Sequence, residues 1–223
     1  MEANRLLASL PRKSYRELLP GLDAVTLDFG DVLYEPGARI RDVYFPSRSV
    51  VSLLTIVDGH SALEVGLVGC EGMVGIPLAL GVDISPVRAL VQGAGAAMQM
   101  SAGGFRKAFE ASAPLQRSLH RYTHALMAQI TQTAACNRFH VVEARLARWL
   151  LMTRDRVGSA QFRLTQEFLS HMLGVRRVGV THAASALQRR DLIEYQRGNI
   201  RILDNPGLEA AACSCYRLVR QRA

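Results

Sequence analysis

The stretch Leu164–Arg190, LTQEFLSHMLGVRRVGVTHAASALQRR, decides how the rest of this chain is read. Thr165 is a helix N-cap residue by type, because its hydroxyl accepts from an otherwise unpaired backbone N–H. The run Gln166–Leu173 behind it carries Phe168, Leu169, Met172 and Leu173 at helical spacing, which predicts a short amphipathic helix. Gly174 ends that helix, since glycine adopts the left-handed backbone of a tight turn without steric cost. Val175 then fills the angle, and a second helix is expected over 177–190 with Val180, Ala184 and Leu187 inward. The small Ser170 falls where two helices would approach closely. Two helices joined by a short glycine-containing turn make a helix-turn-helix.

The outward side of the second helix begins with Arg176 and Arg177 and continues with Thr181, His182 and Ser185. The N-terminal end of such a helix enters a DNA major groove, and arginine there can bond guanine O6 and N7 together. Thr165 and Gln166, at the start of the first helix, are placed for a phosphate. A plain helical hairpin with charged ends has the same spacing. The segment after the second helix favours DNA: Leu192–Gln196 and Ile200–Leu203 read as short strands around Arg197-Gly198-Asn199. A hairpin after a recognition helix is a wing, with Arg197 at its tip.

Charge separates the chain in the same place. Residues 1–136 hold 12 basic and 12 acidic side chains, whereas 137–223 hold 15 and 7, so the whole net charge of +8 lies in the C-terminal part. A basic domain joined to a neutral one fits a polyanionic partner on one side only.

Upstream of this region, 141–152 is amphipathic through Val142, Leu146, Trp149 and Leu150, although Arg145 and Arg148 break the stripe. Before it, Leu115, Leu119, Tyr122 and Leu126 step by heptad-like intervals, continued by Gln129 and Thr133. They predict a helix of about 24 residues from Ala113. Its stripe needs either a partner helix or its own domain, and we expect a dimer seam. From about 22 to 104, short apolar runs alternate with turn residues, among them Gly30-Asp31, Pro36-Gly37 and Asp58-Gly59, as in an antiparallel sandwich or roll. Residues 1–20 read as a short helical lead.

The four cysteines, Cys70, Cys136, Cys213 and Cys215, are scattered apart from one Cys-x-Cys. No disulfide framework and no metal site are expected, because two thiolates alone hold an ion poorly. His120 and His124 have a metal-like i, i+4 spacing but read as surface or interface side chains. No nucleophile–base grouping, P-loop or dinucleotide fingerprint is present, so catalysis is not expected. No run approaches the roughly 18 apolar residues of a membrane span. With no secretory leader visible after Met1, a cytoplasmic protein is expected.

Taken together, Gly30-Asp-Val-Leu-Tyr-Glu-Pro-Gly37, Gly69-Cys-Glu-Gly-Met-Val-Gly75, Arg145-Leu-Ala-Arg-Trp-Leu150, Leu164–Arg177 and the wing resemble the Crp/Fnr family of bacterial transcription regulators over nearly the whole chain. The resemblance implies an α+β protein: an N-terminal antiparallel β-roll like cyclic-nucleotide-binding domains (1–112), a long dimerisation helix (113–138) and a C-terminal winged helix-turn-helix (139–223). It implies a homodimer on two-fold-symmetric double-stranded DNA, with RNA polymerase as a further partner. By position, Arg177 matches the family's base-contacting arginine and His182 a second basic contact. Val178 stands where many members have a glutamate that reads cytosine, and Arg176 where a serine caps the helix, so a different target sequence is implied.

Any effector contact would fall at Met73, Val74, Gly75, Arg88, Ala89 and Thr131. Met73 replaces the glutamate that holds the ribose of a cyclic nucleotide. Arg88 is one place off the phosphate arginine, which in a strand means the opposite face. No cyclic nucleotide is therefore expected as cofactor. No iron–sulfur cluster is expected either, as Cys70 is alone in the first half. Two rivals stay open: a ligand sensor whose winged helix binds proteins, and a cyclic-nucleotide-responsive regulator.

Overall fold

The computed structural model describes residues 4–57 and 61–220, so the expected turn at Asp58-Gly59 and the first residues of the lead lie outside them. The chain divides into two compact units. One takes residues 1–55 and 66–127, the other 56–65 and 128–223.

The first unit opens with α1 (Arg5–Ala8) and α2 (Arg12–Leu18), separated by Pro11. Asn4 caps α1 by accepting from Leu7 N–H at 3.0 Å, and its amide donates to the carbonyls of Pro46 and Gly72 at 2.8 Å each. Seven strands come next: β1 (Asp23–Leu27), β2 (Val32–Tyr34), β3 (Asp42–Pro46), β4 (Val50–Val57), β5 (Ser61–Val68), β6 (Arg88–Gly93) and β7 (Gly95–Ser101). They make two sheets, ordered β1-β7-β3 and β2-β6-β4-β5. Along β3 the period of two is plain: Val43 and Phe45 are buried while Tyr44 between them is not.

Two helices end this unit. Ser101 caps α3 (Ala102–Ala111) by accepting from Gly104 N–H at 3.2 Å. This helix escapes a sequence reading because Gly103-Gly104 looks like a turn. The next, α4 (Ala113–Phe139), is the long helix expected from Ala113. Its heptad-like stripe is not free for a partner, however. Leu115, Leu119, Leu126, Gln129 and Thr133 are all buried by the chain itself, and the Tyr122 ring lies against Gly72. An apolar stripe records that a helix face is covered and is blind to whether the cover comes from its own chain. The face left open runs through Arg117, His120, His124, Met127, Thr131, Ala134 and Arg138.

The second unit is built on α5 (Val142–Val157), which runs five residues past the expected end until Gly158 takes the left-handed conformation at φ 69°. Then come β8 (Gln161–Arg163), α6 (Gln166–Leu173), α7 (Arg177–Arg189), β9 (Ile193–Gln196), β10 (Asn199–Ile202), α8 (Asn205–Ala211) and α9 (Cys215–Arg220). Helix α5 packs against α7 and α8, burying Leu146, Leu150, Val180, Leu187 and Leu208. The single Trp149 donates from Nε1 to the buried Glu64 at 2.9 Å and meets Phe168 edge-on with centroids 6.5 Å apart. Among the described residues no helix is long and apolar enough to cross a membrane.

Candidate nucleic-acid interface

The two helices of the motif form as their residues dictate. The Thr165 hydroxyl accepts from Phe168 N–H at 3.1 Å and so caps α6. Gly174 ends α6 at φ 59°, with its N–H on the His171 carbonyl. A side chain there would be barred twice, by the backbone and by Leu63 Cδ1, which a Cβ would approach to 2.6 Å. Helix α7 starts at Arg177 with Arg176 in the cap position, where no side chain bonds the helix end. Both arginines are exposed and keep their cations available.

The wing is a two-residue hairpin. Gln196 pairs with Asn199, and the turn between them places Arg197 at φ 51° and Gly198 at φ 79°. Positive φ at both central residues is the turn that suits the twist of paired strands. It is natural for glycine but costs a non-glycine residue such as Arg197 about 1 kcal/mol. The strand β8, too short to show alternation in the sequence, adds to β10 and makes the wing sheet three-stranded in the order β8-β10-β9. Tyr195 ties wing to motif: its hydroxyl donates to the Leu164 carbonyl at 2.9 Å and its N–H to Gln188 Oε1 at 2.7 Å. Burial raises its hydroxyl above the ordinary tyrosine range, against the nearby Arg177, which lowers it.

Between motif and wing lies a groove of about 360 Å³ lined by Thr165, Gln166, Arg177, Thr181, Ser185 and Arg197, together with Gln188 and Tyr195. Gln166 organises its floor. Its Oε1 accepts from Thr181 Oγ1 at 2.9 Å and from Arg177 Nε at 3.4 Å, so the exposed guanidinium is held through its Nε. His182 is exposed on α7 and is not part of the groove lining. Gln188 and Tyr195 escape a sequence reading, because their value lies in bonds across the turn rather than in a motif.

Behind this face, the two arginines that break the α5 stripe are both buried. Arg145 donates from Nη2 to the Leu173 carbonyl, satisfying the last turn of α6 with a cation where the helix dipole favours one. Arg148 donates to Thr133 Oγ1 at 2.7 Å. The helix that carries the motif is thus held by a side chain 28 positions away in sequence, a relation that local periodicity does not encode.

The residues expected to contact an effector sit differently. Met73 and Ala89 are fully buried, and Val74 is locked to Tyr44 by two backbone bonds, N–H to carbonyl at 2.8 and 3.1 Å. Gly75 has φ 106°. Arg88 Nε is paired with Glu35 at 2.9 Å. Thr131 is exposed on the part of α4 that belongs to the other unit.

Comparison with known proteins agrees with this construction. Residues 144–211 match the Crp-like helix-turn-helix domain. Three solved structures share the whole architecture. A putative transcriptional regulator of the Crp/Fnr family from Eubacterium rectale ATCC 33656 superposes with TM-score 0.72 at 15% identity, covering 92% of this chain and 96% of that one. FixK2 of Bradyrhizobium japonicum gives 0.72 at 13%, covering 86% and 98%. The c-di-GMP-responsive global regulator CLP of Xanthomonas campestris gives 0.71 at 16%, covering 87% and 100%. No match to a curated protein sequence accompanies them. At these identities the likeness to the solved structures is one of fold. Residues 144–211 thus carry a Crp-like helix-turn-helix domain, and the β-roll, long helix and winged motif follow one another in the order of the fold these solved structures share.

Proposed function

We propose that this chain is a homodimeric, sequence-specific DNA-binding regulator, reading a two-fold-symmetric site through two copies of α7 with half-sites about one helical turn apart. The observation that carries the reading is the groove that gathers Thr165, Gln166, Arg177, Thr181, Ser185 and Arg197 between motif and wing. In it Arg177 supplies base recognition, and Arg197 and the N-terminus of α6 supply phosphate contacts. Arg176 and His182 flank the groove as further contacts to the duplex. With Val178 exposed at the start of α7, cytosine has no acceptor there, and the target differs from one read by a glutamate. RNA polymerase is the natural second partner of a regulator so placed, and the cytoplasm its compartment.

The open face of α4 supports the dimer. Arg117, His120, His124, Met127, Thr131, Ala134 and Arg138 recur at alternating three- and four-residue steps, which is the spacing of a helix-pair seam, with Met127 63% exposed in the single chain. In this reading the β-roll receives the signal that biases DNA affinity. The Arg88–Glu35 pair and the buried Met73 support a signal other than a cyclic nucleotide, because a phosphate would have to displace a carboxylate already in place.

Selection of bound fragments from a random duplex pool, at two salt concentrations and beside Arg177→Ala, tests the proposal. An enriched two-fold motif that the variant relaxes is the expected result. Steep salt dependence without a motif would reduce the claim to phosphate binding. No binding by folded protein at either salt would overturn it. Calorimetry with cyclic AMP and cyclic GMP tests the effector statement, with no heat of binding expected.

A further inference from the structure

Three of the four cysteines, Cys136 and a Cys-x-Cys that begins 77 positions after it, converge in the second unit. Cys136 and His140 are four residues apart at the end of α4, and His140 N–H still donates to the Cys136 carbonyl at 3.1 Å, so both project from one face. Cys213 and Cys215 come from the link between α8 and the start of α9. Cys136 Sγ lies 3.4 Å from Cys213 Sγ, and Cys215 Sγ lies 3.5 Å from His140 Nδ1. All four side-chain atoms fall within 4.8 Å of one another.

We propose that Cys136, His140, Cys213 and Cys215 form a binding site for one tetrahedrally coordinated divalent ion of the zinc class, a function separate from DNA reading. Three thiolates and an imidazole are a donor set that selects such an ion over the hard cations that prefer oxygen. The spacing fits as well. With metal–sulfur bonds of about 2.3 Å and metal–nitrogen bonds of about 2.0–2.1 Å, the donors of a tetrahedron stand about 3.5–3.8 Å apart. An iron–sulfur cluster, which sets several iron atoms between its thiolates, needs a wider frame.

The surroundings are those of a site rather than of idle thiols. All three cysteines are buried. Gln132 Nε2 donates to Cys215 Sγ at 3.0 Å, an outer bond of the kind that orients a ligand. A divalent ion with three thiolates leaves one negative charge, and two buried cations flank it: Arg145 and Arg148 both act electrostatically at the cluster, and the Nε atom of each is buried without a hydrogen-bond partner among the described residues. A buried guanidinium next to neutral thiols is poorly compensated, whereas one next to a thiolate-rich complex is paired. Bound there, the ion would clip the end of α4 to the start of α9 inside the DNA-binding unit, and chelation would release the clip.

Elemental analysis of the full chain, purified under reducing conditions without chelator, is expected to find about one zinc per chain. Titration of the metal-free protein with cobalt(II) is expected to give the intense visible bands of tetrahedral cobalt with thiolate-to-metal charge transfer. His140→Ala should weaken binding more than about 100-fold, since loss of a direct ligand exceeds the 10–100-fold typical of an outer partner. Cys70→Ser should leave binding unchanged. If Cys213→Ser fails to fold, the wild-type cobalt spectrum decides alone. Weak octahedral cobalt bands in folded, reduced protein would overturn the site. So would a Cys136–Cys213 disulfide persisting under those conditions, or an undiminished affinity for cobalt(II) in His140→Ala. None of these readouts involves DNA, so the site and the regulator reading stand or fall separately.

Discussion

At the residue scale, the interface depends on a few side chains whose roles separate by experiment. Arg177→Ala should relax selectivity at one base position per half-site by about 1–3 kcal/mol, read from the enriched motif and from competition with single-base variants. Arg197→Asn should act otherwise. Asparagine accepts the left-handed backbone at φ 51° better than arginine, so the hairpin is kept and thermal stability is unchanged or slightly raised. DNA affinity should fall evenly across sequences, with the slope of log K against log salt reduced by about 1. At Gly174 the structure forbids even a methyl group, by its φ of 59° and by the closeness of Leu63. Gly174→Ala should cost about 1–3 kcal/mol in urea unfolding.

Among the elements, α5 holds the motif in place through a cation that its own periodicity makes look like a flaw. Arg145→Met leaves the α6 terminus with an unpaired carbonyl at Leu173 and should lower stability by about 1.5–3 kcal/mol at constant m-value. Helix α9 is fastened to α5 by a second polar set. Tyr216 Oη donates to Asp155 Oδ2 at 2.8 Å and accepts from Arg154 Nη2 at 3.1 Å. Its hydroxyl is pushed up to about 12, by burial first and by the Asp155 hydrogen bond next. An unfolded tyrosine ionises near 10. The folded state therefore keeps its proton longer, and this contribution is full below about pH 10 and lost as pH rises toward 12. Stability against pH should slope downward across that window, and less steeply in Tyr216→Phe; the raised Tyr34, Tyr44 and Tyr195 add to the common slope.

For the whole molecule, the two stripes of α4 make opposite predictions. Leu119 is fully buried within the chain, so Leu119→Ala should cost about 2–5 kcal/mol while leaving any dimer contact intact. Met127 is exposed, so Met127→Glu should leave the melting temperature of dilute protein nearly unchanged. In the proposed dimer it buries two like charges together, so sedimentation should show monomer and affinity for a two-fold site should drop. Dimeric Met127→Glu with undiminished affinity would remove α4 from the interface.

The residues alone determined the helix-turn-helix, its cap at Thr165, its stop at Gly174 and the wing, because capping, glycine backbone and period are written locally. The β-roll was legible as alternation and the long helix as a heptad-like stripe. Tertiary structure decided the rest. It showed that the stripe of Leu115, Leu119 and Leu126 is covered by the chain itself, that Arg145 serves the end of α6, and that Gln166 sets Arg177. It also brought Cys136 and His140 to Cys213 and Cys215 across more than 70 positions. The physical reason is the same in each case: local pattern records that a group is covered or bonded, while the partner that covers it comes from elsewhere in the chain and is chosen only when the elements pack.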